Sequence, residues 1–195
     1  MEPISEEDRI NFDNACFYKS TIRDLIQRNI LINPLTREPF SEELISEFYA
    51  GKYVILDGVR YEIIDNRLDL SYADITDIIP LQNLTNLQEL DLSGTEIIDI
   101  TPLQNLVNLQ ELDLSETQII DVTPLQKLIN LKELNLSFTE IIDVTPLQNL
   151  INLKELDLDY TKINNIIPLK NLVNLRELYL SNTQIIDVTP LHKFS

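Results

Sequence analysis

From Leu68 onward, apolar residues return on a fixed step of 22 residues. Leu68, Leu90, Leu112, Leu134, Leu156 and Leu178 share one phase, and Pro80, Pro102, Pro124, Pro146, Pro168 and Pro190 share another. Within one unit the apolar positions are Leu106, Leu109, Leu112, Leu114, Ile119, Val122, Leu125 and Leu128. The spacing of two between Leu112 and Leu114 is strand alternation, and the wider spacings suit tight helical turns. Each unit therefore predicts one short strand, a bend and a turn back. A single unit cannot bury its apolar edge, whereas stacked units seal a continuous leucine column. The fold expected over residues 68–195 is an α/β solenoid of about six coils, with a parallel β-sheet on one face and short 3-10 or α turns on the other.

Two further columns carry local structure. Thr101–Pro102, Thr123–Pro124, Thr145–Pro146 and Thr189–Pro190 read as turn starts, with threonine as the cap and proline at the first helical position. Ile79–Pro80 and Ile167–Pro168 lack that cap and are expected to be looser. Thr95, Thr117, Thr139, Thr161 and Thr183 follow each strand, where a buried hydroxyl can bond the backbone of its own bend and of the next coil. Ala73 cannot do this in the first coil.

Residues 1–66 do not repeat. Residues 1–50 read as a helical capping module, which with the hairpin that follows makes a small α+β N-terminal module. Ser20 starts a helix through Arg28, residues 29–40 form a loop punctuated by Pro34 and Pro39, and Ser41 starts a second helix with Phe40 and Ile45 as its staple. In residues 51–67, Asp57–Gly58 between two β-prone runs predicts a hairpin that leads into the solenoid and covers its first coil.

Composition narrows the chemistry. No apolar run approaches the roughly 18–20 residues of a membrane span. The start, MEPISEEDRINFDNA, is acidic and lacks the apolar stretch of a secretory signal, so an intracellular, cytoplasmic location is expected. Cys16 and His192 are single, which excludes an internal disulfide, a cysteine–histidine zinc site and a Cys–His catalytic pair. Cys16 is expected to be a buried small hydrophobe. The net charge of −17 disfavours nucleic acid and anionic membranes and favours a protein partner with a basic surface. No cofactor, metal or catalytic set is expected, because the carboxylates are evenly spaced and face solvent, with no pocket to shift their pKa values.

Strand alternation turns the residues between the leucines toward the inner wall of the sheet. One such column is Glu89, Glu111, Glu133, Glu155 and Glu177. The next is Asp69, Asp91, Asp113, Asn135, Asp157 and Tyr179. Lys132, Lys154 and Arg176 are expected to relieve their mutual repulsion at the C-terminal end. One column varies where the others barely change: Tyr72, Gly94, Glu116, Phe138, Tyr160 and Asn182. Phe138 and Tyr160, with Tyr179 nearby, are expected to form an aromatic patch beside carboxylates, the makeup of an interface anchor. Ile98, Ile120, Ile142 and Ile186 form a stripe that should point partly outward; packing between adjacent coils accounts for it, with a contact surface as the alternative. The last coil reads as uncapped, and fraying of its last half or a dimer through that end is expected.

Segments such as NLVNLQELDLSETQIIDVTPLQKL resemble the 22-residue leucine-rich repeats of the internalin class. The resemblance implies a curved right-handed solenoid that binds a protein across its concave face, without catalysis. That class usually carries asparagine where this chain has threonine. The Ile- and Asn-rich composition without a signal resembles intracellular leucine-rich-repeat proteins of giant DNA viruses, which would place it in the host cytoplasm. CFYKSTIRDLIQRNILINPLTREPFSEELI resembles the second half of a U-box, with Phe17 and Ile22 at the start of its central helix and Asn33–Phe40 as its proline loop. That resemblance implies an alternative role as a ubiquitin-ligase component, in which Leu25 and Pro34 touch a conjugating enzyme and the repeats hold substrate. The first recruiting loop of that family is missing.

Overall fold

The structure, a computed structural model, describes the backbone of residues 9–12 and 15–18 and the whole of residues 53–190. The chain divides into two compact units, Met1–Ala50 and Gly51–Ser195. In the first, strands β1 (Arg9–Phe12) and β2 (Ala15–Tyr18) pair antiparallel, with Arg9 opposite Tyr18. Phe17 therefore lies on a strand, not at a helix start. The helices and loop expected over 20–50, with Ile22, Leu25 and Pro34, lie outside the described residues, as do the Cys16 side chain, His192 and the end of the last coil.

The second unit begins with a hairpin of β3 (Tyr53–Leu56) and β4 (Val59–Glu62). Asp57 (φ 49°) and Gly58 (φ 79°) are both left-handed, as a two-residue hairpin turn that matches strand twist requires. A second left-handed pair, Asp65 and Asn66, reverses the chain again, with Ile64 and Arg67 exchanging bonds of 3.0 and 2.8 Å. Val54 and Leu56 are buried in one core with Leu68 and Leu70, so the hairpin does cover the first coil.

Six three-residue strands follow: β5 (Arg67–Asp69), β6 (Glu89–Asp91), β7 (Glu111–Asp113), β8 (Glu133–Asn135), β9 (Glu155–Asp157) and β10 (Glu177–Tyr179). They form one parallel sheet in chain order, with each central leucine beside the next. On the far side of the coils lie 3-10 turns at Ile79–Asn83, Thr101–Asn105, Thr123–Lys127, Thr145–Asn149 and Ile167–Asn171. Between the two layers the leucine, isoleucine and valine columns are almost completely sealed from water.

The turn starts are held differently from the sequence expectation. No threonine side chain caps them. The cap is the aspartate two residues earlier: Asp99, Asp121, Asp143 and Asp187 each accept the backbone N–H of the threonine at 2.8 Å. Ile79 and Ile167 do not lose it, because Asp77 and Asn165 accept their N–H groups at 2.8 and 3.0 Å. The second threonine column does bond its own bend: Thr95, Thr117, Thr139 and Thr161 are buried and donate to the carbonyls of Leu92, Leu114, Leu136 and Leu158 at 2.6–2.7 Å. In the first coil the Ala73 N–H donates to the Leu70 carbonyl instead, so that bend is tied by backbone.

This cap assignment predicts that Asp121→Ala lowers stability by about 1 kcal/mol, the usual cost of a lost helix cap. Thr123→Ala should change it by less than about 0.5 kcal/mol, as for a surface site without a special role. Urea denaturation followed by circular dichroism distinguishes them, and the reverse ranking would restore threonine as the cap.

Candidate functional site

The inner wall of the sheet is a shallow acidic trough of about 280 Å³, lined by Glu89, Asp91, Glu111, Asp113, Glu133 and their neighbours. The two acidic columns that alternation places there have different occupations. Aspartates are spent on the bend: Asp91 Oδ1 accepts the Ser93 N–H and hydroxyl at 2.9 and 2.6 Å, and Asp113 does the same for Ser115 at 2.8 and 2.6 Å. Asn135 holds Ser137 likewise and gives its amide N–H to Asp113 Oδ2 at 3.0 Å. Asp157 accepts the Asp159 N–H at 2.8 Å, but no hydroxyl, because the serine of the other coils is Asp159 here. The glutamate column carries no such duty. Glu89 pairs with Arg67 at 2.9 Å, and Glu177 accepts the Tyr179 hydroxyl at 2.7 Å, which pushes the phenol up to about 12.

Repulsion is therefore relieved by an ion pair at the N-terminal end, by Arg67. Among the described residues, Lys132, Lys154 and Arg176 form no ion pair; Lys132 donates to Gln110 Oε1 and only softens the field at Glu111. Burial first, then Glu89 and Glu133 on the adjacent rungs, hold the Glu111 carboxyl above the ordinary range. Burial, then Glu177, Glu133 and Asp157, do the same at Glu155. Burial also raises Asp157, against the pull of the Asp159 N–H. Asp69, Asp99 and Asp143 are shifted down by the side-chain and backbone donors of Ser71, Thr101 and Thr145.

The variable column edges this wall, and its backbone is left-handed in every coil: Tyr72, Gly94, Glu116, Phe138, Tyr160 and Asn182 have φ between 54° and 65°. The conformation is set by the ladder, since the N–H groups of Tyr72, Gly94, Glu116, Phe138 and Tyr160 all donate to the next coil at 2.8–3.0 Å. Glycine and asparagine suit such a position, and larger side chains cost about 1–2 kcal/mol each. Phe138 and Tyr160 nevertheless occupy it, half exposed, with rings stacked at 4.3 Å and 10°. Tyr179 does not join them and turns to Glu177. Sequence reasoning missed a second aromatic feature. The Tyr72 ring lies over Gly94, where an added Cβ would come within 2.4 Å of it.

Residues 66–105, 107–149 and 151–192 match the family described as leucine-rich repeats (two copies). The chain belongs to the leucine-rich-repeat family. Among solved structures the repeat protein is similar to internalin C2 of Listeria monocytogenes at 33% identity, over 67% of this chain and 77% of that one, with a TM-score of 0.57. A second internalin of the same bacterium matches at 27% identity over 89% of this chain, TM-score 0.56. A leucine-rich-repeat protein of Leptospira interrogans matches at 26% identity over 62%, TM-score 0.58. This repeat protein spans 52% of that second internalin and 32% of the Leptospira protein. No match was found among curated proteins.

Two more features belong to the repeats. Ile98, Ile120, Ile142 and Ile186 are all exposed, so the stripe faces solvent more than it packs between coils. An asparagine ladder is present, but on the flank where the strands begin: Asn108, Asn130, Asn152 and Asn174 donate to carbonyls 23 residues earlier at 2.7–2.9 Å. The signal for it is the asparagine that recurs as Asn86, Asn108, Asn130, Asn152 and Asn174, three residues before each strand from β6 to β10.

Gly94→Ala should lower stability by about 1–2 kcal/mol, the cost of a left-handed alanine, while Glu116→Gly should raise it. Thermal denaturation of both variants tests this, and a neutral Gly94→Ala would contradict the left-handed backbone. Charge adds a pH dependence. Glu111, Glu155 and Asp157 take up protons more readily folded than unfolded, so their contribution to stability falls as pH rises through the carboxylate range. Asp69, Asp99 and Asp143 act oppositely and lose theirs on acidification. Glu155→Gln is expected to raise the urea midpoint at pH 7, with the gain fading once wild-type Glu155 is protonated. An equal gain at all pH values would argue against repulsion.

Proposed function

We propose that this leucine-rich-repeat protein binds a protein partner across its inner wall, with Phe138 and Tyr160 as the anchor and the free glutamates Glu111, Glu133 and Glu155 selecting basic side chains. The observation that carries the reading is the stacked ring pair on left-handed backbone. Two bulky residues there cost about 2–4 kcal/mol together. Their stack returns only about 0.5–1.5 kcal/mol. Folding alone does not account for that balance, and strained exposed positions cluster at binding sites. Aromatic anchors rimmed by charge dominate measured interface energies.

Asp91, Asp113 and Asp157 then shape the wall through the bends they hold, and contribute less to contact than the glutamates. Tyr179 would contact the partner separately from the stacked pair. The alternative of a ubiquitin-ligase component rests on Leu25 and Pro34, outside the described residues. Transfer of ubiquitin with one of a panel of conjugating enzymes is the result that would favour it.

The test is affinity capture from cell extract, followed by titration of the captured partner. Phe138→Ala with Tyr160→Ala should weaken binding by about 30-fold or more, the effect of losing one hot spot, with an unchanged circular dichroism spectrum. Raising salt should weaken binding further, because exposed charges are screened within about 10 Å at 0.1 M. Equal affinity of the double variant would dismiss the aromatic anchor.

A further inference from the structure

The flank where the strands begin carries a second surface of different chemistry. It is a groove of about 630 Å³ lined by Gln88, Asn108, Gln110, Asn130, Lys132, Asn152, Lys154, Asn174 and Arg176. No carboxylate lines it. Its cations stand on successive rungs, since the Lys154 N–H donates to the Lys132 carbonyl and the Arg176 N–H to the Lys154 carbonyl, both at 2.7 Å. They are three of the eight cations found from residue 67 onward in a strongly acidic chain. Beside them runs an aliphatic stripe, Val107, Ile129, Ile151 and Val173, which is 42–74% exposed. The two are physically continuous: Asn130, Asn152 and Asn174 line the groove and bond the carbonyls of Val107, Ile129 and Ile151. The amides are thereby fixed, and the aliphatic side chains are left facing solvent.

We propose that this flank is a docking site for an acidic amphipathic helix of a partner protein, lying along the solenoid axis. Charge complementarity selects the sign, and rung spacing selects the conformation. Neighbouring strands lie about 4.8 Å apart, so Lys132 to Arg176 spans about 9.6 Å. Helix positions i and i+7 are about 10.5 Å apart, with i+4 between them on the same face. Three carboxylates at i, i+4 and i+7 thus meet three cations. An adjacent apolar stripe with the same spacing meets Ile129, Ile151 and Val173. In an extended chain, side chains on one face recur every 6.8 Å or so and fall out of step after one rung. Charges of the protein beyond about 10 Å are screened at 0.1 M salt, and the nearer glutamates, Glu133, Glu155 and Glu177, stand on the strands and do not line the groove.

The groove has lining residues of its own and can be tested apart from the inner wall. The probe is a synthetic helical peptide with Glu at i, i+4 and i+7 and Leu on the neighbouring stripe, titrated by fluorescence anisotropy. Expected results are saturable binding and at least tenfold weaker binding of a scrambled peptide of the same composition. Lys154→Glu with Arg176→Glu should reduce binding at least tenfold, and so should Ile129→Ser with Ile151→Ser, in variants that keep the wild-type melting temperature. Glu133→Gln with Glu155→Gln on the inner wall should leave binding within twofold. No binding, equal binding of the scrambled peptide or of poly-L-glutamate, or binding that survives both flank variants would overturn the proposal. Loss with the inner-wall variant alone would overturn it too.

Discussion

Parallel strands can be joined only through a crossover, and in this protein the crossover is the coil itself. The backbone ladder that locks one strand to the next therefore also locks one whole coil on the next. Lys132 receives Lys154, Lys154 receives Arg176, and Leu134 sits beside Leu156, all at the same phase. A shift of one residue would turn every leucine outward and every glutamate inward. The exact repetition of the step follows from that constraint, and so does the stacking of each side chain on its own kind. Leucine on leucine gains burial. Glutamate on glutamate costs repulsion, visible in the raised carboxyls of Glu111 and Glu155. The same rule that builds the core thus builds an unfavourable field on the wall beside it.

Much of this was legible in the sequence, and for physical reasons. Alternation around Leu112 and Leu114 fixes which side chains enter the core, and Asp57–Gly58 identifies a turn whose two residues must both be left-handed. Periodicity alone cannot assign the caps, because Thr-Pro and the preceding aspartate repeat at one phase. The discriminating residues were Ile79 and Ile167, where threonine is lost but Asp77 and Asn165 remain. Alternation also gives direction without giving partners. It placed Glu111 and Asp113 on one wall, yet could not say that Asp113 is occupied by Ser115. Variation along the column from Tyr72 to Asn182 says nothing by itself about backbone conformation. Gly94 and Asn182 were the hint that its backbone is left-handed, and that makes the rings of Phe138 and Tyr160 costly where they seemed merely permitted.

The short strands also separate opposite charges with very little chain. Lys154 and Glu155 are neighbours, as are Arg176 and Glu177, yet one residue of each pair lines the flank groove and its neighbour lies on a strand of the inner wall. Because the pleat sends successive side chains apart, a strongly acidic wall and a basic edge coexist within one rung. Each stays distinct because the asparagine ladder holds the flank backbone in place and the aspartate–serine bonds hold the far end of the strand.

The uniform bonding of the coils makes them cassettes. Excising 22 residues from one phase to the same phase would rejoin strand to strand with the same kinds of bond. It would nonetheless bring the stacked rings of Phe138 and Tyr160 one rung closer to Tyr72 and Gly94. The distance between recognition features on such a molecule is therefore quantised, in steps of about 4.8 Å. Gain or loss of whole coils retunes its reach without redesigning its core.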